Sequence, residues 1–202
     1  MSRPRVLFLP GAGADPDFWR PVAERLPTDW ETIRPAWPGL GDQPPQAGVD
    51  GLDALADLVE GQMGEAPVDL VAQSMGGLVA MTVLLRRPEQ VRRLVLTVTS
   101  AGAPMARLGA IDWRADYYRA YPTAATWLRD LDIDLSDHLD QVTQPVLLIF
   151  GTADPISPPS VGEYLLGRLP DARLQLIEGG GHDLAHARAD EVAALIEAHL
   201  GA

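Results

Sequence analysis

Residues Val68 to Ala80 read VDLVAQSMGGLVA and place one serine, Ser74, between two apolar runs. The first run is typical of a strand buried on both faces, and the second is typical of a buried helix. Ser74 therefore falls on a tight turn from strand to helix, where the central residue takes a strained backbone conformation. Because the helix backbone then passes close to the strand, the neighbours Ala72 and Gly76 must be small.

The pattern A-x-S-x-G around Ser74 is a variant of the G-x-S-x-G nucleophile elbow, which projects a serine above a sheet edge. The adjacent helix N-terminus favours negative charge that develops there. The pattern also arises by chance, and a serine N-cap with glycines for close packing is the alternative. A catalytic role for Ser74 therefore requires a base and an acid elsewhere in the chain.

The predicted base is His182, in IEGGGHDL, which follows a predicted strand and precedes the last predicted helix. We expect its flanking glycines to be flexible, so that His182 can reach the sheet edge where Ser74 lies. Of the other histidines, His186 and His199 are expected on the surface of the last helix, and His138 lies in a polar, acidic stretch.

The predicted acid is Asp154, in LLIFGTADPISPP, which would hold the tautomer of His182. The alternative is an aspartate that only shapes a turn, since Asp before Pro is common in turns. Asp183 is a poorer candidate, because side chains of neighbouring residues on an extended segment point apart. The order Ser74, Asp154, His182 is the order found in enzymes with this elbow.

Backbone donors for an oxyanion are predicted at the N–H groups of Met75 and Ala12. Ala12 lies in LPGAGAD, where Gly11 would let the backbone approach the substrate. A simple glycine-rich turn or a phosphate-binding loop is the alternative. The phosphate loop is disfavoured, because no Lys–Ser/Thr pair follows and the spacing does not match G-x-G-x-x-G.

Short apolar runs alternate with helical patterns, which predicts a doubly wound parallel sheet. Strands are predicted at Arg5–Leu9, Glu31–Arg34, Val68–Ala72, Leu94–Val98, Val146–Phe150 and Leu174–Ile177. Helices are predicted at Asp17–Leu26, Leu52–Met63, Leu78–Arg87, Pro159–Leu169 and Ala187–Leu200.

Residues 101–144 interrupt this alternation and are too long for an ordinary connection. We predict short helices at Asp112–Ala120 and Thr123–Leu131. An insertion after the carboxyl end of a strand lies where open α/β sheets bind ligands. Its aromatic residues are therefore candidates for a substrate pocket, with packing inside the insertion as the alternative role. The candidates are Trp113, Tyr117, Tyr121 and Trp127.

Together, the segments LPGAGADPDFW, RPAWPGLGDQ, AQSMGG, GTADPISP and GGGHDL resemble the α/β-hydrolase fold superfamily over nearly the whole chain. The chain departs from the family pattern at Pro10, where members usually have His, at Ala72 in the elbow, and at Asp42, where a serine is usual. It also starts at the strand that carries the oxyanion loop. The resemblance therefore implies one domain, 1–202, with a mostly parallel six-stranded sheet that lacks the family's first two strands and carries a small helical cap at 101–144.

Composition excludes several functions. The 202 residues are 47% hydrophobic, which fits one globular domain. A net charge of −12 argues against binding nucleic acid or an anionic membrane. The absence of cysteine excludes thiolate chemistry and agrees with the cytoplasm. The apolar run Val6 to Leu9 is too short for a signal peptide, and no stretch is long enough to cross a bilayer.

These features predict a serine hydrolase that cleaves a carboxylic ester, thioester or lactone of a small acyl substrate through an acyl-enzyme. The alternatives are an acyltransferase or lyase with the same residues, or a non-catalytic binding protein on this fold. Dehalogenase and epoxide hydrolase chemistry is disfavoured, because the family members with these activities have Asp at the elbow position, where this chain has Ser74. No metal or organic cofactor is implied, and the oligomeric state is left open by the sequence.

Overall fold

A computed structural model describes residues 4–202, in which a six-stranded sheet is flanked by helices. All strand pairs are parallel, in the order β2-β1-β3-β4-β5-β6. The predicted fold class is therefore confirmed. The strands are β1 (Arg5–Leu9), β2 (Glu31–Ile33), β3 (Val68–Gln73), β4 (Val91–Thr97), β5 (Val146–Gly151) and β6 (Ala172–Ile177).

Helices cover both faces of the sheet. They are α1 (Arg20–Ala23), α2 (Leu52–Met63), α3 (Met75–Arg86), α4 (Arg114–Ala120), α5 (Pro159–Leu166), α6 (Leu184–Ala187) and α7 (Ala189–Leu200). Alternate residues of β1 enter different cores, because successive strand side chains point to opposite faces. Leu7 and Leu9 pack on the face covered by α2, α3 and α5. Val6 and Phe8 pack on the face covered by α1, α6 and α7.

Some predicted boundaries were wrong. The helix predicted at Asp17–Leu26 shrinks to the single turn of α1. The last helix, predicted from Ala187, begins at Ala189, because Arg188 with a φ of −119° and a ψ of 40° is not helical; Leu184–Ala187 forms the separate turn α6. The segment predicted as a helix at Thr123–Leu131 contains only a 3₁₀ turn, Thr126–Arg129. Strand β4 ends at Thr97 because the next residue has a positive φ.

The residues between β4 and β5, called here the β4–β5 segment, carry α4 and short 3₁₀ turns, Met105–Leu108 and Ser136–Gln141 among them. Its buried side chains, such as Leu128 and Leu139, join the core on the α2, α3 and α5 face. Within residues 4–202, no helix has the length and apolar character needed to cross a membrane.

Helix α3 begins directly after Ser74, and its first turn crosses the end of β1. A Cβ atom on Gly76 would lie 2.6 Å from the carbonyl oxygen of Leu9 and still closer to that of Pro10. The backbone that a side chain at this position would meet thus belongs to β1 and the loop after it. A glycine is required there because backbone atoms cannot move aside as a flexible side chain can.

We expect Gly76→Ala to lower the free energy of unfolding by about 2 kcal/mol, because overpacking forces the backbone to shift. The matched control is Gly61→Ala in α2, where a new Cβ would meet nothing within 4 Å. This control should raise the free energy of unfolding by about 0.5–1 kcal/mol through helix propensity. Urea unfolding measures both values, and equal effects of the two substitutions would contradict the close approach.

Candidate active site

Three polar side chains meet at the carboxyl edge of the sheet. Ser74 follows β3, Asp154 follows β5 and His182 follows β6. His182 Nε2 lies 2.9 Å from Ser74 Oγ, and His182 Nδ1 lies 2.8 Å from Asp154 Oδ2. The parallel strands explain the meeting, because their carboxyl ends all lie at the same edge. The structure thus brings together the three residues that the sequence singled out from distant segments.

The Ser74 backbone has φ of 52° and ψ of −124°. A positive φ is strained for a residue other than glycine and is characteristic of functional sites. This conformation ends β3 and starts α3 at the next residue. Ser74 Oγ therefore sits beside the N-terminus of α3, where partial positive charge favours a developing anion.

Asp154 is 2% exposed and has a hydrogen-bond donor at each carboxylate oxygen. Oδ1 accepts the backbone N–H of Ile156 at 2.8 Å, and Oδ2 faces Nδ1 of His182. Because a carboxylate can only accept, the Nδ1 proton of the neutral imidazole points at Asp154. Nε2 is then left to accept the proton of the Ser74 hydroxyl.

Gly180, two residues before His182, packs closely on the loop that carries Asp154. A Cβ on Gly151 at the end of β5 would lie 2.5 Å from the carbonyl carbon of Gly180. The loop of the acid and the loop of the imidazole therefore touch through their backbones. The side-chain amide of Gln73 also donates a hydrogen bond to the carbonyl oxygen of His182 at 3.1 Å. Sequence reasoning missed Gln73, although it directly precedes the serine.

The loop after β1 lies against Ser74. A Cβ on Gly11 would be 3.1 Å from Ser74 Cβ. Among the described residues, neither the N–H of Ala12 nor that of Met75 has a backbone or side-chain acceptor. Both remain predicted oxyanion donors on this geometry. The indole N–H of Trp37 holds the loop by donating to the carbonyl of Pro10 at 2.7 Å, a contact that no sequence motif signalled.

A cavity of about 470 Å³ opens beside Ser74 under the β4–β5 segment. Its lining combines apolar and charged side chains. The apolar lining includes Met75, Leu78, Ala103, Leu128, Leu131 and Ile156, and the charged lining is Arg107, Asp112, Arg114, Asp132 and Asp134. Such a volume is within the range of roughly 300–1,000 Å³ typical of ligand sites.

Of the five residues predicted for the substrate pocket, the structure brings Trp113 to this cavity. Gly11 borders Ser74 but lies outside the lining, as do Tyr121 and Trp127. The fifth, Tyr117, is 8% exposed and also lies outside the lining. The pocket prediction is corrected at these four positions; at two of them, Tyr117 and Tyr121, the rings pack on each other.

The Tyr117 hydroxyl joins the β4–β5 segment to the loop after β1. It donates to the carbonyl oxygen of Ala12 at 3.0 Å and accepts the N–H of Gly41 at 2.9 Å. Burial raises the pKa of Tyr117, so the phenol keeps the proton that it donates. Tyr117 therefore braces the loop that carries a predicted oxyanion donor.

The remaining histidines lie away from the site. His186 and His138 are exposed, as predicted for His186. The prediction that His199 lies on the surface was wrong: it is half-buried, and burial lowers its pKa. In the part of the chain that the structure describes, no cluster of three or more His, Asp or Glu side chains could hold a metal ion.

Residues 6–195 match the model of the alpha/beta hydrolase family. The chain belongs to this family. It is 32% identical over 231 residues to the pimeloyl-[acyl-carrier protein] methyl ester esterase of Neisseria meningitidis serogroup A, covering 92% of this chain and 73% of the relative. It is 30% identical over 252 residues to the enzyme of the same name from Aromatoleum aromaticum, covering 98% of each chain.

Among solved structures, an esterase from Thermogutta terrifontis superposes with a TM-score of 0.79 at 21% identity, over 99% of this chain and 90% of that one. This likeness supports the fold. The family resemblance read from the motifs is confirmed, and so is the expected enzyme class, a hydrolase of the esterase type.

We expect Tyr117→Phe to lower the free energy of unfolding by about 1–2 kcal/mol, because the buried carbonyl of Ala12 and the N–H of Gly41 lose their partner. Ester hydrolysis should fall as well, because the loop after β1 loses its brace. Tyr118→Phe is the control, since that hydroxyl makes one hydrogen bond, to Ala125 inside the β4–β5 segment. A larger loss of kcat/KM in the control would contradict the bracing role.

Proposed function

We propose that the protein is a serine esterase that hydrolyses a carboxylic ester through an acyl-enzyme on Ser74. The observation that carries this proposal is the unbroken hydrogen-bond chain from Ser74 through His182 to the buried Asp154. A serine hydroxyl is a weak nucleophile, and this chain supplies the base that activates it. The proposal is supported by membership of a family whose relatives are named esterases.

The first half-reaction acylates Ser74. Its Oγ attacks the ester carbonyl carbon while Nε2 of His182 takes the hydroxyl proton. The carbonyl oxygen becomes an oxyanion and accepts hydrogen bonds from the N–H groups of Met75 and Ala12. The C–O bond to the alcohol then breaks, and His182 returns the proton to the leaving oxygen.

The second half-reaction releases the acid. Water attacks the acyl-enzyme as His182 removes its proton, and a second oxyanion forms at the same backbone donors. When this intermediate collapses, His182 protonates Ser74 Oγ and the free acid leaves. Asp154 stays ionised throughout and stabilises each imidazolium that forms.

The proposed substrate is a methyl or other short alkyl ester of an extended acyl chain. The relatives are named for the methyl ester of a pimeloyl group on an acyl carrier protein. The apolar side chains of the lining, which include Met75 and Leu78, suit the methylene chain of such an acyl group. The charged side chains of the lining, which include Arg107 and Asp134, suit a polar group at the far end of the acyl chain.

A fluorophosphonate probe tests the nucleophile. The wild-type protein should be labelled on Ser74, and Ser74→Ala should not be labelled. Ser100 and Ser157 also line the cavity and serve as internal controls, because neither bonds to His182. Peptide mapping by mass spectrometry locates the adduct, and an adduct on Ser100 or Ser157 would contradict the assignment of Ser74.

Asp154→Asn tests the acid. We expect kcat to fall by about 10³- to 10⁴-fold, because the amide favours the wrong tautomer of His182. The thermal midpoint should change far less than the activity. Asp183→Asn is the control, as this exposed carboxylate adjoins His182 in sequence without bonding to its ring. Full activity in Asp154→Asn, measured on a p-nitrophenyl ester series, would move the acid to another residue.

A further inference from the structure

Thr99 is a buried residue two positions beyond the end of β4, and the reaction just described does not use it. Its Oγ1 lies 2.5 Å from the carbonyl oxygen of Ser74. The same Oγ1 accepts the backbone N–H of Ala101 at 3.1 Å. Since a carbonyl oxygen cannot donate, the hydroxyl proton of Thr99 points at Ser74, and its lone pair faces Ala101.

The carbonyl of Ser74 and the N–H of Met75 belong to one planar peptide group. A bond that fixes the carbonyl therefore also fixes the direction of the N–H, which the proposed function uses as an oxyanion donor. The N–H of Gly77 donates to the same oxygen at 2.9 Å. Hydrogen bonds to a carbonyl oxygen also polarise the peptide, which makes its N–H a stronger donor.

Gly77 gives an independent reason to single out Thr99. A Cβ on Gly77 would lie 2.7 Å from the Cβ of Thr99 and closer still to its hydroxyl oxygen. The approach of α3 to β1 explains Gly76, which is the glycine two residues after the serine in the elbow motif. The motif does not require a glycine at the following position, 77. Gly77 is thus the residue that makes room for the Thr99 side chain beneath the elbow.

The backbone before Thr99 is also unusual. Val98 has a φ of 41°, a left-handed conformation that is strained for a β-branched side chain. The chain leaves the line of β4 at this residue and brings Thr99 under Ser74. Strain of this kind persists only where the surrounding structure holds it in place.

We infer that Thr99 is a positioning residue of the oxyanion hole. Its hydroxyl holds the Ser74–Met75 peptide so that the Met75 N–H is directed at the substrate oxygen as negative charge develops. The inference rests on the proposed esterase function, and it adds a residue that follows the neighbouring strand β4 and lies outside the cavity lining. Donors of this kind act through their fixed direction, so a small rotation of the peptide reduces catalysis.

The test compares Thr99→Val, which removes the hydroxyl at nearly constant shape, with Thr99→Ser, which keeps it. Thr97→Val is the matched control, because the hydroxyl of that buried threonine donates to the carbonyl of Ala72 instead. Each protein is assayed for kcat and KM on a p-nitrophenyl ester. Each is also titrated with a trifluoromethyl ketone, whose adduct with Ser74 carries an oxyanion.

In Thr99→Val we expect kcat to fall about tenfold with KM within twofold of wild type, since the loss of a directed donor affects the transition state. Binding of the trifluoromethyl ketone should weaken by a similar factor. Thr99→Ser and Thr97→Val should keep both values within about threefold of wild type. If Thr99→Val does not fold, Thr99→Ala is compared with Thr99→Ser instead, because the first lacks the hydroxyl and the second keeps it.

Three results overturn the inference. Wild-type kcat and ketone affinity in folded Thr99→Val, with wild-type esterase activity intact, would remove Thr99 from the oxyanion hole and leave the proposed function standing. Equal losses in Thr99→Val and Thr97→Val would reduce its role to general packing. A wild-type protein that neither hydrolyses esters nor reacts with fluorophosphonate would overturn the proposed function, and this inference with it.

Discussion

The contact between the first turn of α3 and the end of β1 is the constraint on which the site depends. It requires a residue without a side chain at position 76, because the carbonyl oxygens of Leu9 and Pro10 occupy the space of a Cβ. The contact brings the amino end of α3 beside the loop that carries Gly11 and Ala12. Backbone N–H groups from two separate segments thereby lie near Ser74, where partial positive charge favours an anion.

The buried acid, Asp154, orients the imidazole of His182. Removing an isolated carboxylate from water is strongly unfavourable, and Asp154 is 2% exposed. The N–H of Ile156 and the ring of His182 compensate by occupying both of its oxygens. The imidazole is therefore oriented from its buried side, whereas its other nitrogen faces Ser74. A rigid acid and a partly exposed imidazole suit a residue that must exchange protons with substrate and water.

The β4–β5 segment lines the cavity and also holds the backbone around the site in place. The hydroxyl of Tyr117 donates a hydrogen bond to the carbonyl oxygen of Ala12, in the loop after β1, and accepts one from the N–H of Gly41. Thr99, at the start of the same segment, donates a hydrogen bond to the carbonyl oxygen of Ser74 in the elbow. The segment thus contacts both backbone regions from which oxyanion donors are proposed. Changes in its packing are therefore coupled to the chemistry through hydrogen bonds to peptide groups rather than through substrate contacts alone.

The sequence alone determined the alternation of strands and helices, the parallel sheet, and the order of Ser74, Asp154 and His182, because these depend on local patterns and on short motifs at strand ends. It did not determine the ends of short helices, where tertiary packing overrides propensity. It also left open which aromatic residues of 101–144 line the pocket and which pack inside the segment; Trp113 lines the cavity, and Tyr117, Tyr121 and Trp127 do not. Only the tertiary structure decided that the hydroxyls of Tyr117 and Thr99 serve peptide groups far away in sequence, because such contacts depend on how the elements pack and leave no periodic signal in the chain.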